Sequence, residues 1–338
     1  MERPRIFVTG GTGFIGSQVV ALALESGYRI RLSVRRRGQI DDLKARFSEF
    51  PDWLDFAVIA DLGDSAAVEA ALDDAEYILH LASPMPGKGS DFRTGYVDPA
   101  VNITTAVLQA AVAAPRVKRV VVVSSVLALM PMGGLMMPGL EVHENANRSI
   151  AIDINMAFPD GPAGHGMKYQ GSKILAHRAT LDWVAQHRPK FDLVTLHPTL
   201  VIGTDATQSD ARPGGMNAYL MQSLASEKPT MPSSVVDVRD VAQALLRALT
   251  APVNVGAGLT EAIIGGPPFD WEDLVAFVRA RYPTLPLKLT GPFQPGLYPD
   301  ASRAERDWGI KWRGMEEAVG SVLDQQMELK RKVAHNAS

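Results

Sequence analysis

The chain has no cysteine in 338 residues. Disulfides, thiolate nucleophiles and cysteine-type zinc sites are excluded, and a reducing compartment is the setting this fits. It also lacks an excess of either charge: 34 Lys and Arg against 37 Asp and Glu leave a formal net charge of −3. That balance asks for neither a nucleic acid nor an anionic membrane as partner. No apolar run is long enough to span a bilayer. The longest, Val120 to Met132, is interrupted by Ser124-Ser125 and reads as a buried strand followed by an apolar loop. Met1-Glu2-Arg3-Pro4 runs straight into the first strand pattern and leaves no room for a signal peptide, so a cytoplasmic protein is expected. There is no internal repeat and no low-complexity segment.

What is present begins with Thr9-Gly10-Gly11-Thr12-Gly13-Phe14-Ile15-Gly16. A short apolar run, Ile6-Phe7-Val8, precedes it, and a helical pattern, Ser17 to Glu25, follows. Strand, glycine turn and helix together form the context in which a glycine motif binds a dinucleotide. Gly10 would permit the tight turn. Gly13 would let the backbone approach a pyrophosphate, and Gly16 would let the helix pack close to the sheet. The pyrophosphate would sit at the helix N-terminus, where free N–H groups favour negative charge.

The second strand, Tyr28 to Val34, ends in Arg35-Arg36-Arg37. An NAD site usually carries Asp or Glu there for the ribose 2′-hydroxyl. A guanidinium instead can hold a 2′-phosphate bidentately, so NADPH/NADP+ is the expected cofactor. Arg35 is the first candidate; Arg36 or Arg37 is the second. The third strand, Asp55 to Ala60, runs into Asp61-Leu62. Asp61 could accept from an adenine amino group or cap the next helix near Asp64-Ser65. The fourth, Glu76 to Leu81, runs into Ala82-Ser83-Pro84, small residues that a cofactor could cross. His80 reads as a structural histidine. A helix from Pro99 to about Ala114, with Asn102 near its start, leads to the fifth strand, Val117 to Ser124. Its β-branched run suits a central parallel strand covered on both faces. These alternating units predict an α/β fold, a Rossmann-type doubly wound parallel sheet with chemistry at the strand C-terminal ends.

A second signal is Tyr169-Gln170-Gly171-Ser172-Lys173, which opens a helical stretch to about Gln186. Residues four apart share a helix face. A lysine one turn away favours the phenolate and lowers a phenol pKa that is otherwise near 10. Ser125, arriving from the fifth strand, can hydrogen-bond the same carbonyl or alcohol oxygen. The set moves a proton while a nicotinamide moves a hydride.

With these residues in place the chain resembles the extended short-chain dehydrogenase/reductase superfamily. The likeness rests on Thr9 to Gly16, Asp61-Leu62, His80-Leu81-Ala82, Val123-Ser124-Ser125 and the Tyr169/Lys173 pair. It continues through His197 to Gly203, Val236 to Ala242 and Ser302 to Gly309. The Val34-Arg35 turn is similar to the branch containing dihydroflavonol 4-reductase, cinnamoyl-CoA reductase and fungal aldehyde/ketone reductases. The resemblance implies Ser125 rather than Ser124 as the catalytic serine, Tyr169 as general acid and Lys173 as a ligand of the nicotinamide ribose. The implied cofactor set is Gly10, Thr12, Gly13, Phe14, Ile15, Gly16, Arg35, Arg36, Asp61, Leu62, Ala82, Tyr169, Lys173 and Pro198, with no metal. Sugar-nucleotide dehydratases and epimerases of the superfamily differ from this chain where Val126-Leu127 follows the serine and Leu200 to Gly203 follows the later proline.

Expected domains are a dinucleotide-binding part, 1–202 and 234–266, and a smaller substrate lobe, 203–233 and 267–338. Within the first, 127–168 is a pocket-forming insertion. Its methionines, Met130, Met132, Met136 and Met137, would make adaptable apolar walls or fill core. His165 is a pocket residue without a catalytic role in this reading. Gly203 to Met216 reads as a lid, followed by a short helix near Ala218 to Ser226. Helical patterns cover Trp271 to Arg281 and Met315 to Leu329, and Lys330 to Ser338 reads as a frayed tail. The expected activity is NADPH-dependent reduction of an apolar, aromatic or polyketide-like ketone or aldehyde. The same residues serve secondary-alcohol (for instance hydroxysteroid) oxidation or epimerisation, and a catalytically silent dinucleotide sensor is the alternative of another class. The partner is a small-molecule carbonyl substrate. A homodimer through sheet-flanking helices is compatible with the resemblance.

Overall fold

The computed structural model describes residues 3–84, 91–253 and 258–336. The chain opens as β1 (Arg5–Thr9), α1 (Phe14–Glu25), β2 (Arg29–Val34), α2 (Ile40–Arg46), β3 (Leu54–Val58), α3 (Ser65–Glu69) and β4 (Tyr77–His80). Then come α4 (Asp98–Ala113), β5 (Arg119–Val123), the two-residue β6 (Glu141–Val142), α5 (Gly161–His187) and β7 (Asp192–Pro198). The rest is β8 (Leu200–Ile202), α6 (Gly215–Leu224), β9 (Val235–Asp237), α7 (Val238–Ala248), β10 (Thr260–Ile264), α8 (Trp271–Arg281), β11 (Tyr298–Pro299), α9 (Ser302–Trp308) and α10 (Met315–Asn336).

Seven of these strands form one parallel sheet in the order β10-β7-β5-β4-β1-β2-β3. The strand order reverses between β1 and β4, which opens a crevice at their C-terminal ends. Side chains alternate along each strand and so feed two cores. Ile6 and Val8 of β1 and Val121 of β5 pack with Val19, Val20 and Leu24 of α1 and Val241 and Leu245 of α7. Phe7, Val120 and Val122 point to the other face, against Leu72, Val107, Leu108, Trp183 and Val184. A third cluster has its own members: Leu220 and Leu224 of α6, Trp271, Leu274 and Val278 of α8, and Val319, Val322 and Leu323 of α10. The ribbon of β8 paired with β9 separates it from the sheet. Leu200, Ile202 and Val235 enter the third cluster, whereas Val201 and Val236 enter the first. No helix among the described residues is long and apolar enough to cross a membrane.

Several expectations need correction. Five strands were expected in the main sheet, and β7 and β10 extend it to seven. The helix bearing Tyr169 starts at Gly161, so the last eight residues of the expected insertion are helical rather than loop. Pro162 is tolerated because the first turn of a helix has no use for its missing N–H. The expected tail is mostly helix: α10 runs to Asn336, supported by a Glu328–Lys332 pair one turn apart at 2.6 Å. Residues 337 and 338 of that tail lie outside the described residues. Met130 is fully buried, whereas Met136 and Met137 are exposed.

Candidate active site

The glycine loop is shaped by backbone sterics. Gly10 has φ +75°, and a Cβ on it would lie 2.6 Å from the Ala82 amide nitrogen. The loop is thus pressed against the end of β4. A Cβ on Gly16 would lie 2.1 Å from the Gly10 carbonyl oxygen and 2.5 Å from Gly11 Cα. Gly16 therefore seats α1 on the loop backbone, not on the sheet as expected; the glycine that meets β2 is Gly11, 2.4 Å from Leu32 Cδ1. Gly13 is different. A Cβ there would meet nothing nearer than Gly10 O at 3.7 Å. It is the first residue outside α1, and no side chain caps the helix. Protein contacts do not demand glycine at this position; an open approach to the helix N-terminus does. Phe14 and Ile15 form the first turn beside it.

The crevice beyond is a cavity of about 320 Å³. Gly10, Thr12, Arg35, Arg36, Asp61, Leu62 and Ala82 of the expected cofactor set line it, and Arg37 does not. Gln39, which the sequence reading passed over, shapes its rim. Its side-chain oxygen accepts from the amides of both Arg35 and Arg36, each at 3.1 Å. The turn is fixed while both guanidinium groups remain exposed. The helix cap is Asp64, whose Oδ1 accepts from Ala66 and Ala67. Asp61 instead accepts from Gly63 N at 2.8 Å and borders the cavity.

Thr9 ties the crevice together. Its hydroxyl oxygen accepts from Ala82 N at 3.2 Å and pairs with His80 Nδ1 at 2.8 Å. Burial and the Lys173 charge push His80 down to about 3 and keep it neutral. This is the structural histidine expected. A second cavity, about 30 Å³, continues past Ala82, Ser83 and Pro84 to Ser124 and Lys173. Ala82 to Pro84 line both cavities and join the arginine end to the Lys173 end.

Lys173 is buried, donates to Ser83 Oγ at 3.0 Å and lies 5.4 Å from the centre of the Tyr169 ring. Ser83 was missed as a polar partner because its neighbours made the segment read only as small. Helix α5 packs against the turn Val126–Leu129, whose N-cap is Ser125. Ser125 Oγ accepts from Leu127 N at 3.3 Å. An oxygen that already accepts an amide keeps its own hydrogen free to donate. Tyr169 packs beside Leu127, Leu129, Met130 and Leu135, which form an apolar wall. Gln170, also unforeseen, clamps that wall: its oxygen accepts from Gly133 N at 2.9 Å and its nitrogen donates to Pro131 O at 2.8 Å. His165, one turn before Tyr169, pairs with the buried Tyr96 hydroxyl at 2.5 Å. Pro198 ends β7, paired with Ile264 of β10.

The chain is similar to known proteins over nearly its whole length. Residues 6–260 match the model of the NAD dependent epimerase/dehydratase family. The ketoreductase sphI of Aspergillus fumigatus is 34% identical over 97% of this chain and 99% of its own length. The ketoreductase CTB6 of Cercospora beticola is 28% identical over 97% of this chain and 96% of its own. Among solved structures, yeast methylglyoxal/isovaleraldehyde reductase Gre2 complexed with NADPH superposes with a TM-score of 0.80. It is 24% identical and aligns over 96% of this chain and 99% of that one.

Proposed function

The chain belongs to the NAD-dependent epimerase/dehydratase family, and we propose that it is an NADPH-dependent reductase of apolar ketones or aldehydes. One observation carries the reading: Lys173 is held under the Tyr169 ring by Ser83, at the strand ends where Ser125 presents a hydroxyl with its hydrogen free. The ketoreductase names of the full-length relatives support the reaction class.

The cofactor site fits NADPH. The Gly13 face is open, and Arg35 and Arg36 stand where an NAD site would need a carboxylate. Bound there, the dinucleotide supplies the hydride. Ser125 donates to the substrate oxygen and stabilises the charge that develops on it. Tyr169 gives that oxygen its proton. The Lys173 ammonium, 5.4 Å from the ring centre, faces the charge left on the phenol oxygen when the proton has gone. Leu127, Leu129 and Met130 are buried behind Tyr169 and give its ring an apolar backing.

Tyr169→Phe tests the mechanism. NADPH consumption with a panel of aryl ketones and aldehydes should fall at least about 100-fold, the lower end of what a lost general acid costs. NADPH affinity should stay within about threefold of the parent. Undiminished turnover in that variant refutes the proposal. No consumption by the parent with any carbonyl, despite tight NADPH binding, favours the dinucleotide sensor.

A further inference from the structure

The layer beneath Ser125 is polar, yet it has almost no access to water. His197 of β7, Thr195 of β7, His177 of α5 and Glu261 of β10 are all buried. His197 Nδ1 lies 3.2 Å from the Ser125 backbone oxygen, and its Nε2 lies 3.2 Å from Thr195 Oγ1. His177 Nε2 lies 2.7 Å from Glu261 Oε1. The two imidazole rings meet edge to face, with centres 4.6 Å apart. His177 follows Lys173 by four residues on α5, so it shares the face that carries Tyr169 and Lys173.

The chemistry assigns the hydrogens. Burial, reinforced by the neighbouring positive charge of His177, brings His197 down to about 3, so its ring is neutral at physiological pH. A backbone carbonyl can only accept, so Nδ1 carries the hydrogen. Nε2 is then the acceptor, and the Thr195 hydroxyl donates to it. Burial alone would raise the Glu261 carboxyl. The hydrogen bonds from His177 and from the Asn145 amide act against burial and hold the group below its ordinary value, so it accepts as a carboxylate. Its other oxygen accepts from the amide of Asn145, a residue in the left-handed conformation at φ 62°.

Three ligand-type atoms of His177, His197 and Glu261 lie within 4.8 Å of one another. Both His197 nitrogens are already engaged, and His177 Nε2 points its hydrogen at Glu261. The group is therefore two hydrogen-bonded units, Thr195–His197–Ser125 and His177–Glu261, packed together through the imidazole rings.

We propose that His197 is a positioning residue for Ser125: it holds the serine's carbonyl from below while Leu127 N holds its hydroxyl oxygen, with Thr195 fixing the tautomer and the His177–Glu261 pair seating the ring. The inference rests on the carbonyl-reductase reading above. The carbonyl also accepts from Ala128 N at 2.9 Å, so losing His197 leaves it on that one bond, loosens the backbone at Ser125 and shifts the hydroxyl off the substrate oxygen. Misplacement by about 1 Å costs on the order of 100-fold in rate.

The test is a kinetic series on the full chain with NADPH and an aryl ketone. His197→Leu removes the donor and should lower kcat by about 10- to 100-fold. KM and NADPH affinity should change by less than about threefold, because the lost contact orders only the transition state. His197→Asn offers an amide N–H to the same carbonyl and should restore kcat to within about fivefold of the parent. In a Ser125→Ala background, His197→Leu should cost nothing further, since no hydroxyl remains to be positioned. Equal losses for the Leu and Asn variants, or full additivity with Ser125→Ala, overturn the proposal. Thr195→Val keeps the volume and removes only the donor to Nε2, and it serves where His197→Leu does not fold. It should lower kcat several-fold at constant KM, and an unchanged kcat overturns the proposal as well. Tyr169→Phe is run alongside. If that variant keeps its turnover, the reductase reading has failed; if it is dead while His197→Leu matches the parent, only the positioning role has failed.

Discussion

Replacing Arg35 by aspartate should move the cofactor preference from NADPH toward NADH, and the structure bounds the size of the shift. The Arg35 side chain is exposed and makes no ion pair among the described residues, while its backbone is fixed by Gln39. The substitution breaks no contact of the fold, so stability should stay within about 0.5 kcal/mol of the parent. What is lost is a charge-assisted hydrogen bond to a 2′-phosphate, about 1.5–3 kcal/mol. A carboxylate facing the phosphate across solvent adds about 1 kcal/mol of repulsion. The sum, about 2.5–4 kcal/mol, is a loss of roughly 60- to 700-fold in NADPH affinity. Arg36 lines the same cavity and pulls the result toward the lower end. NADH affinity should hold or improve, because aspartate can accept from a 2′-hydroxyl. The assay is fluorescence titration of both cofactors at two ionic strengths, with kcat/KM measured for each. The NADPH loss should shrink at high salt, as expected for an exposed charge. An unchanged NADPH-to-NADH affinity ratio refutes the assignment, and parallel losses for both cofactors would point to a disturbed loop.

Two further outcomes follow from the geometry. Gly16→Ala places a Cβ 2.1 Å from the Gly10 carbonyl and forces α1 off the loop; NADPH binding by calorimetry should fall at least about tenfold, and retention of full affinity would show that the loop gives way freely. Stability should also decline with acid in a defined window. His80 and His197 are held neutral by burial at about 3, so between pH 6.5 and about 3 the unfolded chain binds two protons that the folded chain does not. Folding free energy should therefore fall as pH drops through that window, by up to about 1.4 kcal/mol per pH unit for each histidine. Glu261, lowered to about 2, contributes stability that is lost only below about pH 4.5. Urea denaturation at pH 7, 6 and 5 isolates the histidines, and a flat profile over that range would contradict their neutral burial.

The parts of the fold legible in the sequence were those written in local spacing. Gly10 and Gly16 mark a turn whose sterics depend on the chain's own backbone, and Tyr169 and Lys173 need only a helix to share a face. Contacts between distant elements were not legible. The strands β7 and β10 each carry a residue that argues against a buried strand, His197 and Glu261, and each is made acceptable by a partner far away in sequence. The start of α5 was hidden by Gly161, Pro162, Gly164 and Gly166, which read as loop punctuation. Tertiary contacts such as the Tyr96–His165 hydrogen bond hold those first turns in place. Gln39, Ser83 and Gln170 share this origin: each is an unremarkable polar residue until the fold brings its partner within reach.

The β8–β9 ribbon has a mechanical consequence. Its alternate residues serve as walls for two different cores, Leu200, Ile202 and Val235 on one side and Val201 and Val236 on the other. A slip of one residue would exchange the contents of both cores at once. The pleat thus acts as a keyed joint, locking the lobe of α6, α8 and α10 against translation along the strands.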